Sequence, residues 1–322
     1  MVCRAIFERL SIPTPFQVGP VNAYVAGRTI IDPGPDSEKG WSTLLDELDA
    51  RDLTLGDVEQ VLLTHPHPDH FGLAVKLRAQ GAQVVASDTA APILEDFVGR
   101  LHYEQRYFMD FFERCGMDRT TTKTVTDLPG AFLEYAPSVD IDRTVEAGDT
   151  LVVADTAITV DCVDGHAAGE VIFEYESGDK RVALVGDNVL PEITPNPFLS
   201  PPEKPDGERP HVLPAYNRSL DRLQETGYDR FLPGHRDRIA DPDERISEIR
   251  NANERRTEQV AALLDGPMTP VEIMDELFGD LPATEAFSGM SEAVGHLDVL
   301  QARNRATPIE KGGLVVYEPV ED

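Results

Sequence analysis

Cysteine and long apolar runs are scarce in this sequence, and each shortage limits the classes of protein to which the chain can belong. The three cysteines, Cys3, Cys115 and Cys162, are widely separated and form no CxxC pair. They are too few for a disulfide framework, so we expect small buried residues in a reducing compartment. No apolar run reaches the roughly 18 residues that a membrane-spanning helix needs. The N-terminus lacks a basic segment followed by an apolar stretch, so we expect no secretory signal and a cytoplasmic location.

Positive charge is also scarce. The 29 Lys and Arg residues are outnumbered by 58 Asp and Glu residues, which gives a formal net charge of −29. The acidic residues are spread along the whole chain, as in halophilic archaeal proteins, where high salt screens their repulsion. Binding to a cationic partner is the alternative interpretation. A chain this acidic repels nucleic acid at ordinary salt, and we expect no membrane partner.

The first 243 residues alternate short apolar runs with helical patterns, which favours an α/β fold with helices covering sheets. The predicted strands are 21–25, 29–32, 58–64, 84–86, 150–164, 171–175, 181–185 and 230–232. The predicted helices in this part are 40–50, 71–81, 92–116 and 216–225.

The character of the sequence changes near residue 243. Helices are predicted over 243–264, 270–277 and 288–303, followed by a hairpin around Lys311-Gly312-Gly313. Helices followed by such a hairpin are typical of a winged-helix module. We therefore predict a catalytic domain over 1–243 and a small winged-helix domain over 244–322.

Three of the eight histidines fall within the run His65-Pro66-His67-Pro68-Asp69-His70. Neutral imidazoles and carboxylates are ligands of divalent metals such as zinc. The run follows a short predicted strand, and alternate side chains of an extended segment point the same way, so His65 and His67 can bind one ion. Asp69 and His70 come where the chain turns into a helix and can face a second ion. The prolines restrict the backbone, which favours a preformed loop.

Two ions need further ligands, and three candidates each follow a predicted strand in a short glycine-containing turn. They are His166 after Gly165, Asp187 after Gly186 and His235 after Gly234. Singly, each dipeptide is more often an ordinary turn. Together, and in this order, they predict a metal centre built at strand ends.

The combined pattern resembles the metallo-β-lactamase superfamily, and in particular its glyoxalase II and LACTB2-like branch. The resemblance rests on Thr64–Gly72, Asp164–His166, Gly186–Asp187 and Leu232–His235. It implies an αββα sandwich with the site at one edge of two sheets, and an appended winged-helix domain. It also implies two divalent ions, with zinc favoured and iron or manganese as alternatives. The implied ligands are His65, His67 and His166 for the first ion, Asp69, His70 and His235 for the second, and Asp187 as a bridge.

One position departs from the family pattern. Relatives often read Gly-His-Thr-Pro-Gly-His, whereas this chain reads Gly165-His166-Ala167-Ala168-Gly169-Glu170. The first histidine, which is the implied ligand, is kept. The replaced second histidine affects the finer matching of the substrate.

The expected activity is hydrolysis, because two ions about 3.5–4 Å apart can share a hydroxide and polarise a carbonyl or phosphoryl oxygen. Asp69 is the carboxylate expected to orient the water and pass its proton to the leaving group. The favoured substrate is a small molecule: a thioester, a lactone or another ester. One alternative is a metal-dependent ribonuclease acting on single-stranded RNA, and another is a winged-helix regulator with a vestigial sensor domain.

The C-terminal region bears on the ribonuclease alternative. Residues 244–322 contain 16 Asp or Glu against 7 Lys or Arg, so the region as a whole is acidic. Arg303, Arg305 and Lys311 nevertheless form a small basic group near the predicted recognition helix and wing. Winged helices also serve as lids or as dimer contacts, so a homodimer is another role for this domain.

Four residues are candidates for substrate contact. Tyr107 and Phe108 belong to the aromatic-rich stretch 92–116, which either packs on the core or roofs a substrate pocket. Tyr216 could steady an oxyanion, with a packed aromatic as its alternative. Asn196 is a further polar candidate, with a turn amide as its alternative.

Overall fold

The computed structural model describes residues 6–320, and these form two compact units. The first, called here the sheet unit, contains residues 6–98, 132–195 and 222–246. The second, called here the helical unit, contains residues 99–131, 196–221 and 247–320. The helical unit therefore draws on three separate stretches of chain. The division into domains 1–243 and 244–322 stays a prediction, and Cys3 lies outside the described residues.

Two sheets make up the sheet unit. The first sheet has the spatial order of the chain: β1 (Glu8–Ile12), β2 (Val21–Ala26), β3 (Thr29–Ile31), β4 (Gln60–Leu62), β5 (Gln83–Ser87) and β6 (Arg143–Val145). The second contains β7 (Thr150–Val153), β8 (Thr156–Cys162), β9 (Val171–Ser177), β10 (Lys180–Gly186) and β11 (Arg230–Pro233), in the order β11-β10-β9-β8-β7. The pairs from β3 to β6 and the pair β10–β11 are parallel, and the other pairs are antiparallel.

The alternation of side chains along the strands builds two cores. Ile31 and Leu62 lie in an apolar core that the first sheet shares with Phe173 and other residues of the second sheet. Their chain neighbours Ile30 and Val61 point the opposite way, into a separate core on the outer face of the first sheet. Because both faces of the inner strands β2 to β5 are buried, these strands read as largely continuous apolar runs.

Helices cover that outer face. The helices that lie within the sheet unit's first stretch are α1 (Glu38–Asp49), α2 (Pro68–Phe71), α3 (Ala74–Ala79) and α4 (Ala91–Glu95). Helix α1 begins where the Ser37 hydroxyl accepts a hydrogen bond from the Gly40 N–H, and its Leu44 and Leu48 enter the outer core. The predicted α/β class is confirmed.

The remaining helices belong wholly or partly to the helical unit. They are α5 (Phe97–Arg114), α6 (Arg119–Asp127), α7 (Val212–Thr226), α8 (Pro242–Leu263), α9 (Pro270–Phe278) and α10 (Ala283–Ala302). A hairpin of β12 (Ala306–Lys311) and β13 (Leu314–Pro319) follows α10. The backbone of Met268 adds a short bridge to Tyr317 on β13, with hydrogen bonds in both directions.

The aromatic residues of α5 pack inside the helical unit. Phe108 and Phe112 are almost fully buried, and their ring centroids lie 5.0 and 5.4 Å from that of Phe287 on α10. Tyr107 is partly buried against the same core. These contacts support the packed interpretation of the aromatic stretch.

Several sequence predictions differ from the structure in detail. Strands β1 and β6 were not predicted, because only part of each is apolar and buried. The single strand predicted over 150–164 is two strands, β7 and β8, which are separated by a turn in which Ala154 and Asp155 have positive φ. The predicted helix 92–116 is two helices, α4 and α5, and the last predicted helix begins five residues earlier, at Ala283.

The described cysteines are free thiols. Cys115 is buried as predicted, and burial raises its pKa to about 12. The prediction was wrong for Cys162, which is exposed at the end of β8. Among residues 6–320, no helix combines the length and apolar character needed to cross a membrane.

The sheet unit has little room beside Gly72, which follows the short helix α2. A Cβ placed there would overlap the Tyr135 carbonyl oxygen and the Asp36 backbone nitrogen. We therefore expect Gly72→Ala to lower the unfolding free energy by about 1–3 kcal/mol, because backbone atoms must move. Thermal unfolding should show a clear drop in the midpoint.

The matched control is Gly56→Ala, where the nearest atom to an added Cβ is the Thr54 hydroxyl oxygen at 3.9 Å. This variant should unfold at or slightly above the wild-type midpoint. Equal midpoints for the two variants would contradict the tight packing at Gly72.

Candidate metal centre

The histidine run lies between a strand and a helix. Strand β4 ends at Leu62, and a short non-helical segment leads to His67, which is extended and is the N-cap of α2 with Pro68 in the first turn. Proline fits this position because the first N–H groups of a helix have no partner within the helix. The strand end thus holds His65 and His67, and the helix holds Asp69 and His70.

The structure brings six of the predicted ligands into two clusters. In each cluster the potential donor atoms all lie within 4.8 Å of one another. The first cluster is His65, His67 and His166, and the second is Asp69, His70 and His235. Residues that follow strands of both sheets therefore meet at one site.

Asp187 lies between the two clusters, in the turn after β10. Its Oδ2 is 3.7 Å from Nε2 of His166 in the first cluster and 3.4 Å from Nε2 of His235 in the second. Its Oδ1 is 3.6 Å from Nε2 of His70. One carboxylate therefore faces imidazoles of both clusters.

His235 is held by the loop that precedes β2. Its Nδ1 lies 2.8 Å from the Pro20 carbonyl oxygen and must donate to it, which leaves Nε2 facing the site. The Asn22 amide donates to the carbonyl oxygens of Pro233 and Arg236 and so fixes the turn around His235. Only glycine fits at 234, because an added Cβ would overlap Asp187 Oδ1 and lie 2.8 Å from His70 Cε1.

Asp32 is the functional residue that sequence reasoning missed. It follows β3, is 2% exposed and accepts three hydrogen bonds: from the Thr64 N–H, from the Thr64 hydroxyl and from His70 Nδ1, the last at 3.0 Å. Since the Thr64 hydroxyl donates to Asp32, its oxygen accepts from His65 Nδ1 at 2.9 Å. Asp32 thus sets the tautomer of one histidine in each cluster, with Nε2 left for a metal.

The signal for Asp32 was present in the sequence. A lone aspartate before Pro33-Gly34 reads as a strand-ending turn, and that pattern contains nothing specific to metal binding. Asp32 lies close enough to His65 and His70 to be grouped with them as a potential donor. Both of its oxygens already accept hydrogen bonds, so we assign it the orienting role.

The donor atoms of the site fit a cation. Nε2 of His65 is buried and makes no hydrogen bond within residues 6–320. Nε2 of His70 and Nε2 of His235 are also buried, and they face carboxylate oxygens only at 3.3–3.6 Å. Buried polar atoms are rarely left without a partner in native proteins. A convergent set of imidazole nitrogens and carboxylate oxygens is satisfied by divalent metal ions.

Burial and mutual repulsion keep part of the site neutral. Burial lowers the pKa of His65 well below its usual value, and the neighbouring imidazoles of His70 and His67 lower it further. Burial, reinforced by His166, lowers the pKa of His67 to about 3. Both side chains are therefore neutral imidazoles at pH 7, the form that binds metal.

In the second cluster, neighbouring carboxylates raise the pKa values of the histidines. Burial alone would lower the pKa of His70, but the carboxylates of Asp187 and Asp69 raise it well above its usual value. Burial alone would also lower the pKa of His235, but the same two carboxylates raise it. Burial alone would raise the pKa of Asp187, but His70 and His235 lower it, so Asp187 stays ionised.

With this geometry established, comparison with known proteins identifies the family. The profile of the metallo-beta-lactamase superfamily matches residues 17–235, which is more than half of the chain. This chain belongs to the metallo-β-lactamase superfamily. The predicted class, a metal-dependent hydrolase, agrees with this membership.

Relatives within the superfamily match nearly the whole chain. The probable metallo-hydrolase YqjP of Bacillus subtilis (strain 168) is 28% identical over 316 residues, covering 97% of both proteins. A metallo-beta-lactamase family protein of Thermus thermophilus has a crystal structure with 26% identity and a TM-score of 0.79, covering 98% of both chains. A beta-lactamase domain protein of Burkholderia ambifaria gives a TM-score of 0.80 over 98% of this chain and 92% of its own, and at 24% identity it shows the fold alone.

The four candidate substrate residues all lie in the helical unit, whereas the metal-site residues lie in the sheet unit. Phe108 and Tyr216 are almost fully buried, and Tyr107 is partly buried. The Asn196 amide nitrogen donates to the Ser288 carbonyl oxygen at 3.3 Å, a contact with α10 that lies far along the chain and not within a turn. Contact of these residues with a substrate stays a prediction.

The role of Asp32 in this superfamily member can be tested with Asp32→Asn. An asparagine has one acceptor oxygen and cannot serve all three donors, so the tautomers of His65 and His70 are no longer fixed. We expect metal affinity to fall by about 10–100-fold, measured by competition with a chelator.

The control for this variant is Asp36→Asn, which removes a part-exposed ion pair with Lys76. It should bind metal as the wild type does. Wild-type affinity in Asp32→Asn would contradict the orienting role.

Metal uptake should also release protons. The pKa values of His70 and His235 are raised, so protons compete for these imidazoles more strongly than usual, whereas a metal needs their unprotonated form. Apparent metal affinity should therefore rise with increasing pH and fall with decreasing pH. Calorimetric titration of Zn²⁺ in buffers of different ionisation enthalpy measures the proton release, and pH-independent binding without release would contradict this assignment.

Proposed function

We propose that this protein is a binuclear metal-dependent hydrolase acting on a carboxylic derivative, namely a thioester, a lactone or another ester. The observation that carries the proposal is the position of Asp187. Two three-donor clusters flank it, and its carboxylate lies 3.4–3.7 Å from imidazoles of both. A site for a single ion would not need a second set of three donors beside the first.

The residues divide between the two ions as their clusters do. His65, His67 and His166 would hold the first ion, Asp69, His70 and His235 the second, and Asp187 both. Imidazole-rich sets with carboxylates suit zinc, with iron or manganese as alternatives. When bound, such ions supply a nucleophilic water of lowered pKa and polarise the carbonyl oxygen under attack.

Asp69 is the residue we assign to proton transfer. It is 8% exposed, and its Oδ2 lies 3.3 Å from His235 Nε2 and 3.9 Å from His70 Nε2. Burial alone would raise its pKa, but His70 and His235 lower it, so Asp69 is an ionised carboxylate at neutral pH. Asp69 orients the attacking water, takes its proton as the new C–O bond forms, and gives that proton to the leaving sulfur or oxygen as the old bond breaks.

The charge distribution favours a small carboxylic substrate over RNA. The net charge of −29 repels a polyanion. The basic group considered for RNA binding is also largely neutralised, because Arg303 makes two hydrogen bonds to Glu254 and Arg305 makes two to Glu258. Arginines held this way offer fewer donors to phosphate.

The C-terminal part of the helical unit supports the proposed winged-helix assignment and LACTB2-like branch. Helices α9 and α10 precede the β12–β13 hairpin, as in the predicted module. The bridge between Met268 and Tyr317 adds a third backbone segment beside the hairpin. We propose a structural role for this module, as a lid or as a contact in a homodimer, because its arginines are paired with carboxylates.

The function is tested by assaying the purified protein against a panel of thioesters, lactones and other esters, with single-stranded RNA alongside. We expect at least one carboxylic derivative to be hydrolysed, with activity lost on chelation and restored by Zn²⁺. Cleavage of RNA without turnover of any carboxylic derivative would instead establish the ribonuclease alternative.

The control for this panel is Asp187→Ala, because its side chain serves both proposed ions. This variant should lose activity and bind less metal per chain, measured by elemental analysis. Full activity with two ions still bound would contradict the bridging assignment.

A further inference from the structure

Glu170 is a buried carboxyl residue beside the metal centre that the proposed mechanism does not use. It stands where relatives often have a second histidine, directly before β9, and it is 1% exposed. Burying a carboxyl group costs free energy unless it is hydrogen-bonded. Its contacts therefore show what holds it in this position.

The side chain of Glu170 reaches the turn that carries Asp187. Its Oε2 accepts a hydrogen bond of 2.8 Å from the amide nitrogen of Asn188, which directly follows Asp187. The same amide nitrogen lies 3.3 Å from the Asp164 carbonyl oxygen, two residues before His166. The Asn188 side chain thus contacts both ends of the loop that holds His166.

The backbone of this loop is fixed at its base as well. The Val163 N–H donates to the Glu170 carbonyl oxygen, which closes residues 163–170 into a loop. On its other side, the Ser87 hydroxyl donates to the Gly169 carbonyl oxygen at 2.6 Å. The turn after β10 is closed by the Asn188 N–H donating to the Val185 carbonyl oxygen. Two rigid segments, each carrying one predicted ligand, are therefore joined through the side chains of Glu170 and Asn188.

We propose that Glu170 is a positioning residue for the metal centre, which through Asn188 fixes His166 relative to Asp187. This inference rests on the proposed two-ion site, since His166 belongs to one cluster and Asp187 is shared by both. If the loop that carries His166 and the turn that carries Asp187 could shift apart, the site would lose affinity for metal, because metal ions require donors at fixed distances. The glutamate in place of histidine thus takes over a supporting role at the centre.

The experiment measures metal retained by the full-length, Zn²⁺-loaded protein against increasing chelator, with thermal unfolding recorded in parallel. Glu170→Ala removes the acceptor and should weaken retention by about 10–100-fold. Glu170→Gln keeps an acceptor oxygen for Asn188 and should restore most of the retention. Visible absorption of the Co²⁺-substituted protein should change in Glu170→Ala and return towards wild type in Glu170→Gln.

A second route avoids dependence on a single variant. Asn188→Ala removes the donor and should weaken retention to a similar degree, and the double variant Glu170→Ala with Asn188→Ala should be little worse than either alone. The matched control is Tyr228→Phe, which removes the hydrogen bond from Tyr228 to Glu174 in the same unit. It should lower the unfolding midpoint without changing metal retention.

The outcomes separate this proposal from the proposed function. Wild-type retention in both Glu170→Ala and Asn188→Ala would overturn the positioning role. So would Glu170→Gln losing metal as readily as Glu170→Ala, because the amide oxygen can accept the same hydrogen bond. Metal retention is measured without substrate, so failure of the ester panel would leave these results standing and would overturn only the substrate class.

Discussion

Five imidazoles and the carboxylates of Asp69 and Asp187 lie side by side, all of them buried except the partly buried His67, and the fold must accommodate their charges. The carboxylate of Asp187 makes this arrangement stable, because it lies within 3.4–3.7 Å of His70, His166 and His235. The carboxylates raise the pKa of two of these histidines, His70 and His235, whereas burial lowers the pKa of His65 and His67. The site therefore has internal charge compensation, with the carboxylates favouring positive charge on the imidazoles nearest to them.

Both sheets contribute residues to this arrangement. The first sheet contributes the histidine run after β4 and, after β3, Asp32, which orients one histidine of each cluster. The second sheet contributes Asp187 after β10 and His235 after β11. Since strand ends are rigid, the ligand geometry is set by the packing of the two sheets. Side chains behind the ligands, such as Asn22 and Glu170, then fix the turns that carry them.

Much of this could be predicted from the sequence, because the candidate ligands carry a distinctive local pattern. Three histidines and an aspartate within six residues have few structural explanations, and the later ligands each follow an apolar run and a glycine. Asp32 could not be recognised, since an aspartate before Pro-Gly is common in turns. Its role arises only when β3 and β4 lie side by side and bring it to Thr64.

Other features depended on tertiary contacts that local patterns do not encode. The aromatic stretch was compatible with a pocket roof or a core, and its packing against Phe287 needed a partner from a distant part of the chain. The basic group near the hairpin looked available for phosphate, but its arginines meet Glu254 and Glu258 on α8. In both cases the sequence identified aromatic or basic residues correctly. Their roles depended on the residues that they contact in the fold.

We propose that this site holds two metal ions that share Asp187. Anomalous diffraction from crystals of the full-length protein grown with Zn²⁺ tests it most directly. We expect two peaks, one among His65, His67 and His166 and one among Asp69, His70 and His235, with Asp187 contacting both. A single peak at full occupancy, or peaks outside these clusters, would contradict it.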